Sequence, residues 1–345
     1  MRLLFYVSKL YSIPVILPLL KEAERQNIET ALYASAKVKK RLPEILPGIR
    51  TFTELKEAVT FQPDFVLCPG NFVDFRLPGI KVELFHGIGI EKPSHYRIRH
   101  FFDVYLTSGP VVTEEFKRLQ KKHGYFSVFE TGWPKIDHIL SCDTTKIREQ
   151  LKLPIGRKIV LYAPTHSSTM ESAGDIVPVI ETIMKKDEIW FCKPHEFMKK
   201  ETLDELGKKR IRLIDSYDIT PYLHLADVLI SDTSSVIYEF MVLDKPVVTY
   251  RTMSRKDKGI NTESIHELRD ALDRSLLNPG EYTHTRHRHL SEVNPKLDGK
   301  ISKGIMDILI SIEQNGLQRN RRKPFNLFRK LQILYHSRFR KGYLR

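Results

Sequence analysis

Cysteine is scarce in this chain of 345 residues: Cys68, Cys142 and Cys192 stand far apart, with no paired spacing. That excludes a disulfide framework and a zinc-ligand set, and points to a reducing compartment. Long apolar runs are missing as well. No stretch approaches the ~18 consecutive apolar residues of a membrane span, and the opening MRLLFYVSKL lacks the small-residue exit of a cleavable signal. The expectation is therefore a cytoplasmic chain. No internal repeat or low-complexity segment precedes the C-terminal tail. Acidic residues are absent from that tail: Arg319 to Arg345 contains ten Lys or Arg and no Asp or Glu, leaving only +4 of the net charge of +14 for residues 1–318.

The tail RNRRKPFNLFRKLQILYHSRFRKGYLR interleaves its cations with Phe325, Phe328, Leu331, Leu334, Tyr335 and Phe339. Steps of three and four residues draw an apolar stripe with cationic flanks on a helix. Such a helix fits an anionic membrane surface through residues 319–345, with docking onto the protein's own N-terminal domain as the competing reading. Nothing else resembles a nucleic-acid module, and no nucleic acid is expected.

Upstream, short apolar runs alternate with amphipathic stretches. RLLFYVS, DFVLCP, KVELFHG and DVYLTSG read as strands, joined less clearly by SVFETG, with a first helix from near Ser12. After the helical KIREQLKL and the turn PIGRK, the alternation resumes with KIVLYAPT, EIWFCKPH, RIRLID, DVLISD and PVVTY. The alternation predicts an α/β fold class, two doubly wound Rossmann-like domains at residues 1–154 and 155–314, with 315–345 as the tail.

In such sheets ligands sit beyond the carboxyl ends of the strands. DVLISD ends at Asp232; Thr233, Ser234 and Ser235 then open a helix whose amides and hydroxyls suit a phosphate, and Glu239 lies one turn on, in reach of a ribose. His86, Gly87 and Gly89 follow another strand, Lys193 and His195 a third, and Thr165, His166 and Ser167 a fourth. Their joint placement predicts a cleft between the two domains. The histidine-rich HTRHRHLSEVNP, with His284, His287 and His289, lacks a ligand set for a metal and reads as a basic loop near phosphates.

The motifs ELFHGIGIEK, TGWPKID, VLYAPT, CKPHE and DITPYLHLADVLISDTSSVIYEFMVLDKPVVTY occur in order between about residues 80 and 250. Together they resemble the CDP-glycerol glycerophosphotransferase family, the teichoic-acid primases and polymerases of the GT-B fold. The resemblance implies that His86 and His195 are the two essential histidines, facing one another across the cleft. It also implies that Asp232, Ser234 and Ser235 meet the donor's phosphates, with Glu239 where the family usually has Asp. Thr165 matches the family's APT motif. The acceptor side, at Gly87 and Lys92, departs from the usual Thr-Pro-Leu-Lys. A separate stretch, NPKLDGKISKGIMDIL, is similar to a region of UDP-N-acetylglucosamine 2-epimerases, although DTSSVIYE lacks their glycine-rich donor loop.

The implied reaction moves a glycerol-phosphate or related polyol-phosphate unit from a CDP-alcohol to a hydroxyl of a lipid-linked or polymeric acceptor. CMP is released, in the synthesis of a teichoic-acid or capsule-like surface polymer at the inner face of the membrane. An imidazole near the attacking hydroxyl suits a general base, which assigns that role to His86. Charge on the departing phosphate calls for His195, Lys193 and the serine-led helix start. No cofactor or metal is indicated. The alternatives are a GT-B sugar transferase or epimerase using a UDP-sugar, and a non-catalytic nucleotide- or polymer-binding scaffold.

Overall fold

The computed structural model describes residues 1–166 and 170–339, the last four of them by backbone alone. Ser167 and residues 340–345 lie outside the described residues. The chain divides into two units: Met1–His86 with Pro93–His138 and Val293–Arg345, and Gly87–Lys92 with Ile139–Glu292.

The first unit is built on seven strands: β1 (Arg2–Val7), β2 (Glu29–Ala34), β3 (Thr51–Phe52), β4 (Phe65–Cys68), β5 (Ile80–Glu83), β6 (Val104–Thr107) and β7 (Ser127–Glu130). Their order is β3-β2-β1-β4-β5-β6-β7, every pairing parallel. Helices cover a parallel sheet on both faces, so its central strands are apolar throughout. Leu3, Leu4, Phe5 and Val7 of β1 and Phe65, Val66 and Leu67 of β4 are buried accordingly. The second unit carries β8 (Lys158–Tyr162), β9 (Glu188–Cys192), β10 (Arg212–Leu213), β11 (Val228–Ser231), β12 (Val247–Tyr250) and β13 (Ile260–Thr262). These form a second parallel sheet in the order β10-β9-β8-β11-β12-β13. Both orders reverse direction once, between β1 and β4 and between β8 and β11, and such switch points open a crevice at the strand ends.

The unit boundaries correct the expected ones. The break falls after His138 instead of at residue 154, and Val293 onward returns to the first unit. Side-chain chemistry explains the return. Asp137 accepts from the backbone amides of Ile301 (3.2 Å) and Ser302 (2.7 Å), capping the helix Ile301–Asn315 from 164 and 165 residues away. That helix buries Ile305, Met306, Leu309 and Ile312 and packs against the helix Ile13–Arg25. The strand ETALYA (β2) and the short β3 and β13 escaped the sequence reading, because alanine and two- or three-residue pairings carry little strand signal. HTRHRHLSEV is a helix (Thr283–Val293), not a loop. Its Arg286 is buried on Asp244 (2.8 Å), and His289 meets Asp257 (2.9 Å).

The tail also belongs to the first unit. Gly124, with φ of 75°, ends the helix Pro110–His123 in the left-handed conformation that glycine adopts without strain, and its carbonyl accepts from Asn320 N and Arg321 N (both 2.9 Å). Asp103, buried, takes Arg319 Nη2 (2.9 Å), Lys323 Nζ (3.0 Å) and the amide of Lys81 (2.9 Å). The helix Leu327–Phe339 follows, with Ile333 buried while Phe328, Leu331 and Tyr335 remain exposed. No helix among the described residues is long and apolar enough to cross a membrane. Replacing Asp103 by Ala strands two cations, so we expect a loss of about 3 kcal/mol in denaturant melts, with tryptic cleavage after Arg319 and Arg321 appearing early.

Candidate functional site

In the second unit the switch point between β8 and β11 is closed by one carboxylate. Asp232 follows β11 and accepts from the amide of Thr165 (2.9 and 3.1 Å to its two oxygens), which follows β8. It also accepts from Ser172 through the backbone amide (3.0 Å) and the hydroxyl (2.8 Å). Ser231 Oγ adds a bond to the carbonyl of Ala163 (2.6 Å). Burial pushes the Asp232 carboxyl up to about 6, against the lowering effect of these donors and of Lys92. At neutral pH it is mainly an anion, which accepts hydrogen bonds and repels phosphate. These bonds shape the loop after β8.

The donors around it face differently. Lys92 Nζ reaches Thr165 Oγ1 (3.0 Å); burial lowers its pKa while Asp232 and Glu91 raise it. His195, half-buried after β9, stacks on His166 with centroids 5.5 Å apart. Burial, His166 and Lys92 hold its pKa below the ordinary value of 6.5. Its Nδ1 accepts from the amide of Phe197 (3.2 Å), so the neutral ring carries its proton on Nε2, where it can donate to an anionic oxygen. The ammonium of Lys193 donates to the carbonyls of Ser216 (2.7 Å) and Ile214 (3.4 Å), fixing the chain after β10. Thr233 is buried and accepts from Met253 N (3.1 Å), again a structural role. Ser234 and Ser235 are half-buried at the start of the short helix Val236–Met241, and Glu239 within it is buried instead of solvated.

The loop Gly87–Lys92 belongs to this unit through contacts that sequence reading missed. Glu91 Oε1 accepts from Lys258 Nζ (2.6 Å) and from Tyr238 OH (2.8 Å), and both charged side chains are almost fully buried. Gly87 lies so near the helix start that a Cβ there would come within 2.9 Å of Ser235 Oγ, so any larger residue would make that side chain shift. Lys258 sits in the charged stretch SRKDKG, which alone reads as solvated surface, so no sequence signal marks it.

His86 belongs to the first unit. It is exposed beyond β5, its ring 6.0 Å from that of Tyr11 after β1. The preceding Phe85 has φ of 59°, a strained backbone for an aromatic residue. Its carbonyl accepts from the indole of Trp133 (3.0 Å), and Trp133 N donates to Asn294 Oδ1 (2.8 Å). The stretches TGWPKID and NPKLDG thus meet to hold the backbone from which His86 projects. Close by, His95 packs on Phe85 with centroids 4.7 Å apart, and burial drives its pKa down to about 3. Among the described residues, no cluster of three or more His, Cys, Asp or Glu has metal-binding geometry.

Comparison with known proteins decides the family. Residues 91–310, well over half of the chain, match the family of CDP-Glycerol:Poly(glycerophosphate) glycerophosphotransferases. The chain belongs to this family. It is 28% identical to the teichoic acid glycerol-phosphate primase of Bacillus subtilis over 152 residues, 42% of this chain and 39% of that protein. With the teichoic acid ribitol-phosphate polymerase TarL of Staphylococcus aureus it shares 28% over 138 residues, 36% and 25% of the two chains. The chain therefore spans roughly a quarter to two-fifths of the length of these relatives. The wall teichoic acid polymerase TagF shares the fold, with a TM-score of 0.67 at 17% identity over 92% of this chain and 90% of that one. So does a putative UDP-N-acetylglucosamine 2-epimerase from Listeria monocytogenes, at 0.62 and 16% over 93% and 98%. Two parallel-sheet Rossmann-like domains of the GT-B type are the common architecture.

In this chain the position of the loop Gly87–Lys92 depends on the buried ion pair Glu91–Lys258. Glu91→Ala leaves an ammonium buried without its counter-charge, and we expect it to lower stability in chemical denaturation by about 3–5 kcal/mol. Replacing both residues by Met should cost less than the single change; an equal or larger loss in the double variant would deny the pair this role.

Proposed function

We propose that this chain transfers a glycerol-phosphate or related polyol-phosphate unit from a CDP-alcohol to a hydroxyl of a lipid-linked or polymeric acceptor, releasing CMP, in the synthesis of a teichoic-acid or capsule-like surface polymer. The observation that carries this reading is the set of donors at the β8/β11 switch point, Lys92, Thr165 and the Nε2–H of His195, in a chain of the glycerophosphotransferase family. Attack of the acceptor oxygen on the β-phosphorus forms the new phosphodiester and breaks the bond to the bridging oxygen, which leaves on CMP. Lys92 and His195 offset the charge that develops on that phosphate. His86, exposed on a backbone braced by Trp133, takes the proton of the attacking hydroxyl. Ser234, Ser235 and Glu239 hold the nucleotide, and Gly87 lets the backbone approach.

The test is CMP release from CDP-glycerol in the presence of a glycerol-phosphate acceptor. His86→Ala and His195→Ala should each lower turnover by at least ~10²-fold with the fold intact by circular dichroism. Near-normal turnover in either folded variant removes that histidine from the reaction, and UDP release from a UDP-sugar instead would favour a sugar transferase.

The tail supports a peripheral place at the cytoplasmic face of the membrane. Its exposed Phe328, Leu331 and Tyr335 offer an apolar face, and its cations attract anionic headgroups at about 1 kcal/mol each near the surface. Changing these three residues to Ser leaves Arg319 and Lys323 on Asp103. That variant should sediment with vesicles of anionic lipid far less than the unaltered chain while keeping its melting temperature; undiminished sedimentation would count against the membrane role.

A further inference from the structure

The carboxyl ends of the first sheet carry a second group of cations, distinct from the donor set of the other unit. Arg99, half-buried in the connection between β5 and β6, donates through Nη1 to the carbonyl of Arg97 (2.9 Å) and through Nη2 to that of Ser94 (3.5 Å). With its amide oriented to satisfy both neighbours, Asn71 accepts from Arg99 Nη2 (3.1 Å) and donates to Glu83 Oε1 (2.9 Å). Asn71 thus bridges this guanidinium to Glu83, whose carboxyl burial pushes up to about 8 against the lowering effect of Arg99. Beside it the Tyr105 hydroxyl is buried with no hydrogen-bond partner among the described residues.

The tail adds to this charge. Asn326 Nδ2 reaches the carbonyl of Arg99 (3.5 Å), and one turn later the Arg329 guanidinium lies 5.9 Å from the centroid of Phe72, the residue after Asn71. Lys330 sits over Phe75 at 5.3 Å. Arg329 precedes the buried Ile333 by one turn and so shares the face turned towards the unit, away from the exposed Phe328, Leu331 and Tyr335. Burial lowers the Arg99 pKa, and the like charges of Arg97 and Arg329 lower it further against the opposing Glu83 and Tyr105. The charges of both His86 and Arg99 act on His95, which lies between Arg99 and the candidate base in the chain.

Like charges held together in a partly dry site are stabilised by an anion between them, and guanidinium forks match the paired oxygens of a phosphate. We propose that Arg99 and Arg329, with Arg97 at the rim, form a subsite for a phosphate or phosphodiester group of the acceptor, on the same unit as His86. The tail helix is then part of the substrate site, its inward face binding the acceptor's phosphate while its outward face stays apolar. This inference rests on the reading given above, and it assigns the acceptor's anionic group to residues outside the donor set.

The experiment uses the full chain, CDP-glycerol and an alkyl-capped glycerol phosphate trimer as soluble acceptor. Arg99→Gln and Arg329→Gln should each raise the acceptor KM about tenfold or more while kcat and the donor KM change little, and Arg99→Lys should recover part of the loss. Added salt should weaken the acceptor affinity of the unaltered chain more than that of Arg329→Gln. An unchanged acceptor KM in Arg329→Gln, whose exposed helix tolerates the change, overturns the subsite even if Arg99→Gln fails to fold. Loss of vesicle binding with an unchanged acceptor KM would assign the arginines to lipid headgroups and also overturn it. Calorimetric binding of the trimer needs no turnover. If the unaltered chain releases no CMP, the functional reading fails, and weaker trimer binding by Arg329→Gln still supports the subsite whereas equal binding rejects it.

Discussion

The carboxylate of Asp232 is the constraint from which the β8/β11 switch point is built. A parallel sheet that reverses its winding leaves two strand ends diverging, and the loops that follow have no partner in the sheet. Asp232 bonds across that gap to Thr165 and Ser172, from two points of the loop after β8. An anion at this place costs desolvation, visible in its raised pKa, and three donors offset the cost. Fixing Thr165 in turn fixes the hydroxyl that receives Lys92, so a cation is brought to the mouth of the site by a residue that never faces it.

A second buried charge pair does comparable work further along the chain. The loop after His86 carries Glu91 and Lys92 side by side, one pointing to Lys258 and Tyr238, the other to Thr165. Hydrophobic residues of similar volume would hold the loop as well or better, since two buried charges lose much of their attraction to desolvation. Directional hydrogen bonds supply something an apolar contact does not: they specify one register for the loop, and with it the close approach of Gly87 to Ser235. On the other unit, Asn294 and Trp133 give Phe85 the same kind of directional support against its left-handed backbone.

Much of this was legible in the sequence, in proportion to how local the signal is. Buried runs such as RLLFYV and DVLIS declared their strands because both faces of a parallel sheet are covered. Residues following such strands, Asp232, His195, Thr165 and His86, could be picked out for the same reason. Roles that depend on a distant partner were not legible. Asp232 is held by Ser172 and Lys193 by the carbonyl of Ser216, partners with no sequence signal. The return of residues 293–339 to the first unit rests on Asp137 and Asp103, acids whose partners lie 165 and 216 residues away. HTRHRHLSEV hid its helix because its polar face is satisfied by Asp244 and Asp257, which no periodicity reveals.

The tail shows why such partners matter for reading charge. Its ten cations look alike in sequence, yet the fold sorts them. Arg319 and Lys323 are consumed in binding Asp103, a structural task that any bulk estimate of basicity would count towards ligand attraction. Arg329 is held over Phe72, the residue after the Asn71 that accepts from Arg99. Electrostatic attraction for an anionic partner therefore comes from only part of the formal charge, and its strength depends on which cations remain uncompensated. Because the same helix turns apolar residues outward, the two proposed roles need not compete for it: Phe328, Leu331 and Tyr335 would meet hydrocarbon, and Arg329 on the opposite face would meet phosphate.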